Sequence, residues 1–251
     1  MSGLLKDKVC IVTGAGKGFG KSIAEKFLEH GGKLALITRS KEDVDRLNAE
    51  LGVDDARILT VCGDVADQAI VDEFVLQTEN KFGRVDVLVN NAGMRFRKKF
   101  KDISAEEFKT VFDVNVMSMF YLCKAVLPIM VKQESGKIIN MSSVAGTLGL
   151  PDLSGYVTSK AAIIGLTKSL ALEYAEKNIQ VNALAPGFCK TSYFDNFKQK
   201  SDLYDFTMDR IPMRRWGESE EIANACIFLA SSLSSYVTGD VMNVDGGWSA
   251  W

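Results

Sequence analysis

The chain has 251 residues, of which 47% are hydrophobic, and a net charge of −2 from 30 basic and 32 acidic side chains. This balance argues against nucleic-acid binding, which needs a strongly basic face. The short, charged N-terminal stretch does not resemble a signal peptide, and no apolar run approaches the roughly 18 residues of a membrane helix. We therefore expect a soluble, cytoplasmic protein without a membrane or nucleic-acid partner.

Cysteine and histidine usage narrows the possible chemistry. The five cysteines are scattered without a Cys-x-x-Cys pair, which argues against a disulfide framework and a zinc site, so we expect no metal. His30 is the only histidine and ends a predicted helix before Gly31. A Ser-His-Asp triad is therefore excluded, and any acid–base chemistry must use other side chains.

Short β-branched runs alternate with longer amphipathic segments along the whole chain. The predicted strands are Val9–Thr13, Leu34–Thr38, Ile58–Cys62, Val85–Asn90, Lys137–Met141, Gln180–Leu184 and Val241–Val244. Nearly continuous apolar strands that alternate with helices form parallel sheets covered on both faces. The pattern therefore predicts an α/β fold with a doubly wound, Rossmann-type sheet of seven strands. No linker or repeat interrupts it, so residues 1–251 should form a single domain.

A glycine-rich turn follows the first predicted strand. Gly14, Gly18 and Gly20 have the spacing G-x-x-x-G-x-G, which allows a tight turn and a close approach of the backbone to a pyrophosphate. The N-terminus of the next helix would add free N–H donors. The sequence thus predicts a dinucleotide site.

The end of the second predicted strand indicates which dinucleotide is bound. NAD-type sites usually hold the ribose with an acidic residue near this point, but residues 37–40 contain no carboxylate. Arg39 could instead form a bidentate contact with a 2′-phosphate, and Lys17 could add a second charge. Both could also be solvated surface charges. We predict NADP(H) rather than NAD(H).

Two predicted helical segments, about residues 105–132 and 153–177, are apolar around more than one face. A thick core would explain them, but a helix that covers a sheet usually keeps a polar face. We therefore favour a subunit interface.

Tyr156 and Lys160 lie four residues apart in the second of these segments, with Ser143 thirteen residues before the tyrosine. Positions four apart share one helix face, about 6 Å apart along the axis. An ammonium beside a phenol favours the phenolate, so we expect Lys160 to lower the pKa of Tyr156. The Tyr-x-x-x-Lys pattern arises easily by chance, so it is informative only together with the other motifs of the chain.

These motifs occur in a fixed order along the sequence. The glycine turn, Leu88-Val-Asn-Asn-Ala-Gly93, Ser142-Ser143, Tyr156-x-x-x-Lys160 and Ala185-Pro-Gly-Phe188 together resemble the short-chain dehydrogenase/reductase family, and the resemblance continues through Asn243-Val-Asp-Gly-Gly247. It implies an oxidoreductase that transfers hydride, commonly as a homotetramer.

The resemblance also implies residue roles. Tyr156 would be the catalytic acid/base, Lys160 would assist it, Ser143 would hydrogen-bond the substrate oxygen, and Asn115 would anchor a proton-relay water. The implied cofactor-binding residues are Gly14, Lys17, Gly18, Phe19, Gly20, Arg39, Asp64, Val65, Asn90, Ala92, Gly93, Tyr156, Lys160, Pro186, Gly187 and Thr191.

The substrate is less constrained by the sequence. Five basic residues occupy the seven positions 95–101 and form either a solvated charge run or a rim that attracts an anion. Two family types fit an anion, one similar to gluconate 5-dehydrogenase and the other to 3-oxoacyl-acyl-carrier-protein reductase. The second type docks its carrier on two basic residues; Lys177 matches one place, whereas Gln133 stands near the other. It also commonly has an Arg-Asp pair after the Asn-Asn-Ala-Gly motif, which is missing here.

Two further alternatives stay open. Residues 189–212 contain Tyr193, Phe194, Phe197, Tyr204 and Phe206, which could form a mobile lid over the substrate or an ordinary aromatic core. Cys189 in this segment is better explained as a packing residue than as a nucleophile. An inactive dinucleotide-binding regulator is disfavoured because the implied catalytic set is complete.

Overall fold

The computed structural model describes residues 3–52, 56–191, 194–199 and 201–250. In this part of the chain, seven parallel strands form one sheet in the order β3-β2-β1-β4-β5-β6-β7. The strands are β1 Val9–Thr13, β2 Lys33–Thr38, β3 Ile58–Cys62, β4 Val87–Asn90, β5 Gly136–Met141, β6 Ile179–Pro186 and β7 Val241–Val244. The predicted doubly wound sheet is therefore confirmed, with strand ends shifted by up to two residues.

Helices cover both faces of the sheet. They are α1 Gly18–Glu29, α2 Lys41–Leu51, α3 Gln68–Phe82, α4 Ala105–Phe112, α5 Ser118–Gln133, α6 Ser154–Tyr174, α7 Phe194–Lys198, α8 Ser201–Arg210 and α9 Ser219–Ala230. Neighbouring residues of a strand point to opposite faces, and β1 shows this directly. Val12 packs in the core beneath α1 and α9, whereas Ile11 packs in the core beneath α3, α5 and α6.

The first predicted apolar segment is not one uniform helix. A wider π-helical turn, Asp113–Met117, separates α4 from α5 without breaking the rod. Asn115, in the middle of this turn, is 2% exposed. The second segment forms α6 and ends near Tyr174 in a short 3₁₀ turn.

Within the described ranges, the helical run Ala105–Gln133 is long and apolar enough to cross a membrane by length and composition. We predicted no such run, and that prediction was wrong. Core helices meet the same criterion, and here Met119, Leu122 and Val126 are buried against the sheet and α3. This helical run is hydrophobic because one of its faces covers the sheet and a second face is also apolar.

The topology brings the predicted motifs together at one edge. In parallel strands all carboxyl ends lie at the same side of the sheet, and ligands bind where the strand order reverses. The reversal lies between β1 and β4, which are neighbours in the sheet. The glycine turn follows β1, and the loops after β4, β5 and β6 bring the other motifs to the same edge.

Candidate active site

A cavity of about 500 Å³ opens at this edge of the sheet. It is lined by most of the predicted site residues, namely Gly14, Lys17, Gly18, Phe19, Arg39, Asp64, Val65, Ala92, Gly93, Ser143, Tyr156, Lys160, Pro186, Gly187 and Thr191. Gly20, Asn90 and Asn115 do not line it. One cavity thus joins the predicted coenzyme and catalytic residues.

The glycine turn has the backbone that its sequence requires. Gly14 and Gly18 have φ values of 63° and 56°, in the region that side chains other than glycine rarely adopt. A Cβ at Gly20 would lie 2.2 Å from the Gly14 carbonyl oxygen. Gly20 therefore allows close packing within the turn, and it does not itself line the cavity. Lys17 precedes α1 and its side chain cannot accept a hydrogen bond, so the first N–H groups of α1 are left for an anion.

The loop after β4 is tied to the end of β1. The Thr13 hydroxyl accepts hydrogen bonds from the Asn91 and Ala92 backbone N–H groups at 3.0 and 2.9 Å. The Asn91 amide donates to the Thr13 and Gly14 carbonyl oxygens at 2.9 and 3.2 Å. This network fixes one wall of the cavity beside the glycine turn.

Asn91, and not the predicted Asn90, lines the cavity. The Asn90 amide instead donates to Asn140 Oδ1 at 2.8 Å and to Cys123 Sγ at 3.5 Å, inside the core. Successive strand residues alternate between faces, so the two adjacent asparagines cannot share one role. The sequence motif contains both and does not say which one turns inwards.

Two cations and a carboxylate line the far end of the cavity, in addition to the Asp64 carboxylate named above. Lys17 and Arg39 line it, as predicted for a 2′-phosphate, together with Ser40. Asp43, in the first turn of α2, lines it as well and was missed because it lies beyond residues 37–40. Glycine backbone, helix N-terminus and two cations are the features that a dinucleotide with a 2′-phosphate requires, so the residues fit NADP(H).

The catalytic candidates converge at the other end. The Lys160 Nζ atom lies 5.6 Å from the Tyr156 ring centroid and donates a hydrogen bond to the Met141 carbonyl oxygen at 2.7 Å. Ser143 is hydrogen-bonded to the Tyr156 hydroxyl. The neighbouring Ser142 donates to the Lys160 carbonyl oxygen at 2.9 Å and so braces α6. The two adjacent serines therefore have different partners, and Ser143 is the one at the tyrosine.

The acidity of the pair differs from our expectation. Burial raises the pKa of Tyr156, and the Ser143 hydrogen bond and the charge of Arg95 only partly oppose this effect. The expected lowering by Lys160 was wrong, because its ammonium bonds the Met141 carbonyl and lies over the ring. Burial also lowers the pKa of Lys160 to about 8. Near neutral pH, Tyr156 is therefore a neutral phenol that can donate a proton.

Asn115 acts behind the cavity. Its Oδ1 accepts from the Met94 backbone N–H at 2.7 Å, and its Nδ2 donates to the Met94 carbonyl oxygen and to Ser159 Oγ, both at 2.9 Å. Both amide hydrogens are thus engaged within the protein. The side chain holds the segment that leads to Arg95, and its amide hydrogens are not left for a relay water.

The mouth of the cavity is apolar and aromatic. Leu150, Leu153, Phe197 and Trp216 line it. The Phe197 and Trp216 rings lie 4.9 Å apart, and the Trp216 indole N–H donates to Thr207 Oγ1 at 2.8 Å. Phe197 belongs to the segment predicted as a possible lid, whereas Leu150, Leu153 and Trp216 had no distinctive sequence pattern, because their convergence depends on segments that are distant in the chain.

The possible lid is a packed aromatic cluster in its described part. Phe194 and Tyr204 join Phe197 around Trp216, with centroid distances to the indole of 5.2 and 6.0 Å, and Phe206 contacts Trp248. Tyr193 lies outside the described residues. Cys189 is buried, and burial raises its pKa to about 12, which agrees with a packing role. Among the described residues, no three His, Cys, Asp or Glu side chains form a group that could hold a metal ion.

A doubly wound sheet with a glycine turn and a Tyr-Lys pair in one cavity defines a dinucleotide-binding oxidoreductase. The comparisons with known proteins agree. The family model described as enoyl-(acyl carrier protein) reductase matches residues 14–249. The 3-oxoacyl-[acyl-carrier-protein] reductase of Thermotoga maritima is 40% identical over 243 residues, covering 97% of this chain and 98% of the relative. The 3alpha-hydroxysteroid dehydrogenase of Mediterraneibacter gnavus is 40% identical over 245 residues, with 97% of each chain covered.

Solved structures support the same assignment. Levodione reductase superimposes with a TM-score of 0.92 at 36% identity, covering 98% of this chain and 99% of that one. The structure of ElxO with NADP bound gives a TM-score of 0.91 at 32% identity, with coverages of 97% and 99%. The chain belongs to the short-chain dehydrogenase/reductase family and is an oxidoreductase acting on alcohol and carbonyl groups.

Proposed function

We propose that this protein is an NADP(H)-dependent oxidoreductase that interconverts a ketone and a secondary alcohol on a substrate that carries negative charge. The observation behind this proposal is that Tyr156, hydrogen-bonded to Ser143, lines the same cavity as the glycine turn and Arg39. In this arrangement the coenzyme can reach the carbonyl carbon of a substrate while Tyr156 and Ser143 reach its oxygen. The bound coenzyme supplies the hydride or accepts it.

The protein handles the proton and the charge on oxygen. In reduction, the Tyr156 hydroxyl transfers its proton to the substrate oxygen as that oxygen becomes an alcohol. Ser143 donates a hydrogen bond to the same oxygen, and one such donor contributes roughly 3–4 kcal/mol in other enzymes. The Ser143 hydrogen bond and the charge of Arg95 then stabilise the tyrosinate that remains. Oxidation reverses these steps.

The coenzyme assignment rests on charge. Arg39 and Lys17 line the adenosine end of the cavity, and their charges complement a 2′-phosphate. ElxO, similar along nearly its whole length, was solved with NADP bound. Dissociation constants for NADPH and NADH, measured by fluorescence, test the assignment. Tighter binding of NADH would overturn it.

The substrate's negative charge is inferred from Arg95. It lines the cavity with Tyr156 and acts on the pKa of that residue, so the two side chains are electrostatically coupled. Arg97 and Lys99 are exposed on the same extended segment, whereas Lys98 pairs with Glu107 at 2.8 Å. The segment is thus a basic rim beside the mouth.

Two substrate classes fit this rim. A keto-sugar acid would place its carboxylate at Arg95, although the apolar mouth offers its hydroxyl groups few hydrogen-bond partners. A 3-oxoacyl thioester on an acidic carrier protein would suit the apolar mouth, with the carrier against the rim. The similarity to the Thermotoga maritima reductase favours this second class.

A panel assay separates these possibilities. NADPH absorbance loss is followed with keto-gluconates, an acetoacetyl thioester and an uncharged diketone, for the wild type, Tyr156→Phe and Arg95→Ala. We expect Tyr156→Phe to abolish turnover of every substrate while NADPH still binds. Arg95→Ala should raise KM for charged ketones and leave that of the diketone nearly unchanged. Full activity of Tyr156→Phe would remove the tyrosine from the mechanism, and an inactive wild type that binds NADPH would favour a regulator.

We also propose a cytoplasmic homotetramer. The five cysteines are free thiols, which suits a reducing compartment. Phe120 on α5 and Leu172 on α6 are 42% and 83% exposed, as expected for apolar helix faces that meet a second subunit. Light scattering coupled to size-exclusion chromatography tests the assembly, and a monomer at micromolar concentration would contradict it.

A further inference from the structure

Arg46 on α2 makes two contacts with the wall of the coenzyme cavity. Its guanidinium donates a hydrogen bond to the Gly16 carbonyl oxygen at 2.6 Å and forms an ion pair with the Asp43 carboxylate one helical turn earlier. Gly16 and Asp43 both line the cavity. Arg46 itself is not among the lining residues, so it acts on the wall from behind.

Asp43 lies very close to the glycine turn. A Cβ at Gly16 would be 2.7 Å from three side-chain atoms of Asp43. The carboxylate therefore occupies space that only a glycine leaves open. Ser40 fixes this position, because its side chain accepts the Asp43 backbone N–H at 3.2 Å at the start of α2.

This placement creates an electrostatic conflict. Lys17 and Arg39 line the end of the cavity where a 2′-phosphate would bind, and Asp43 lines the same end with the opposite charge. A carboxylate repels a phosphate dianion, and the repulsion is stronger where water is partly excluded. A carboxylate is also the usual acceptor for the ribose 2′-hydroxyl of NAD(H). The ion pair with Arg46 neutralises this group.

We propose that Arg46 is a coenzyme-specificity residue that neutralises Asp43 and holds it against Gly16, so that the site favours NADP(H). Loss of Arg46 leaves Asp43 as an uncompensated acceptor and moves the preference towards NAD(H). This inference rests on the NADP(H) assignment under Proposed function. It adds a residue that touches neither the phosphate-facing cations nor the catalytic groups.

The test measures binding rather than turnover. Dissociation constants for NADPH and NADH are determined by fluorescence titration for the wild type, Arg46→Ala, Asp43→Asn and the double variant. We expect Arg46→Ala to raise the NADPH constant about tenfold, from one uncompensated charge partly screened by salt, and to leave the NADH constant unchanged or lower. Adding Asp43→Asn should restore most of the lost NADPH affinity, because it removes the repelling carboxylate.

Lys21→Ala is the matched control. Lys21 pairs with Glu50 of α2 at 2.6 Å, so this variant also removes one positive charge and one ion pair that anchors α2. It leaves Gly16 and Asp43 untouched, and we expect the ratio of the two dissociation constants to stay within about twofold of the wild type.

Equal weakening of both coenzymes by Arg46→Ala would mean that Arg46 merely braces the glycine turn, and it would overturn the proposal. So would an unchanged ratio, or a double variant as weak for NADPH as the single one. If Arg46→Ala does not fold, Arg46→Gln decides, because glutamine can still donate a hydrogen bond to the Gly16 carbonyl oxygen but removes the charge that neutralises Asp43, so it should weaken NADPH relative to NADH. A wild type that prefers NADH would refute the coenzyme assignment, whereas the change in ratio between variants reports on Arg46 separately.

Discussion

Lys160 should reduce the stability of the fold that it serves. It is 5% exposed, and burial lowers its pKa from the ordinary value of 10.5 to about 8. This difference corresponds to about 3 kcal/mol of unfavourable free energy when the side chain is charged. The hydrogen bond to the Met141 carbonyl oxygen returns about 1 kcal/mol. Lys160→Met keeps the shape and removes the charge, so we expect it to stabilise the protein by about 2 kcal/mol at pH 7 and to abolish turnover.

The pH dependence identifies the cause. Because the pKa of Lys160 is lowered in the folded state, the unfolded state binds the proton more tightly, and wild-type stability rises with pH between about 8 and 10.5. The advantage of Lys160→Met should therefore be full below pH 8 and should shrink by about 2 kcal/mol by pH 9.5. Urea unfolding at both pH values measures it. An advantage that does not depend on pH would refute the desolvation argument.

Lys137→Met is the control for this experiment. Burial lowers the pKa of Lys137 to about 8 as well, and its Nζ atom donates to the Ser234 carbonyl oxygen at 3.2 Å. The residue lies at the start of β5, at the opposite end of that strand from Met141. It is only half-buried, so we expect a smaller gain in stability and full activity.

Three further predictions concern other parts of the site. Gly20→Ala should cost roughly 3 kcal/mol and weaken coenzyme binding because the new Cβ would meet the Gly14 carbonyl oxygen, whereas Gly149→Ala, which has open space, should change the melting temperature little. Asn115→Ala should cost about 2 kcal/mol and raise KM for charged ketones more than it lowers kcat, since the segment before Arg95 is released; an unchanged KM would contradict this role. Cys189→Ser should retain activity, and the wild type should resist thiol reagents at neutral pH, because the pKa of Cys189 is raised to about 12; rapid inactivation that Cys189→Ser prevents would show that the thiol is reactive.

The parts of this protein that local sequence determines were predictable. Strands and helices follow from the period of the apolar residues, and the glycine turn from the backbone freedom of Gly14 and Gly18. Tyr156 and Lys160 reach the same cavity because their spacing matches one helical turn. Each of these inferences needs only residues that are close in the chain.

What depended on distant contacts was not predictable. Asp43 reaches the cavity because α2 packs beside the glycine turn, and no pattern within α2 indicates that approach. Asn91 lines the cavity in place of the predicted Asn90, because the orientation of a side chain at a strand end depends on register. The raised pKa of Tyr156 follows from burial, which the spacing to Lys160 does not report.

The wide turn at Asp113–Met117 lets one continuous helical segment orient side chains in two directions. An α-helix turns by about 100° per residue, so an additional residue in a single turn offsets the side chains after it from those before it. Asn115 can therefore point to the loop beside the reacting centre while Met119 and Leu122, one and two turns later, stay fixed on the sheet. Deleting a residue from this turn would rotate the side chains after it relative to those before it. The helix could then keep either the packing of Met119 and Leu122 on the sheet or the hydrogen bonds of Asn115 to the loop, but not both.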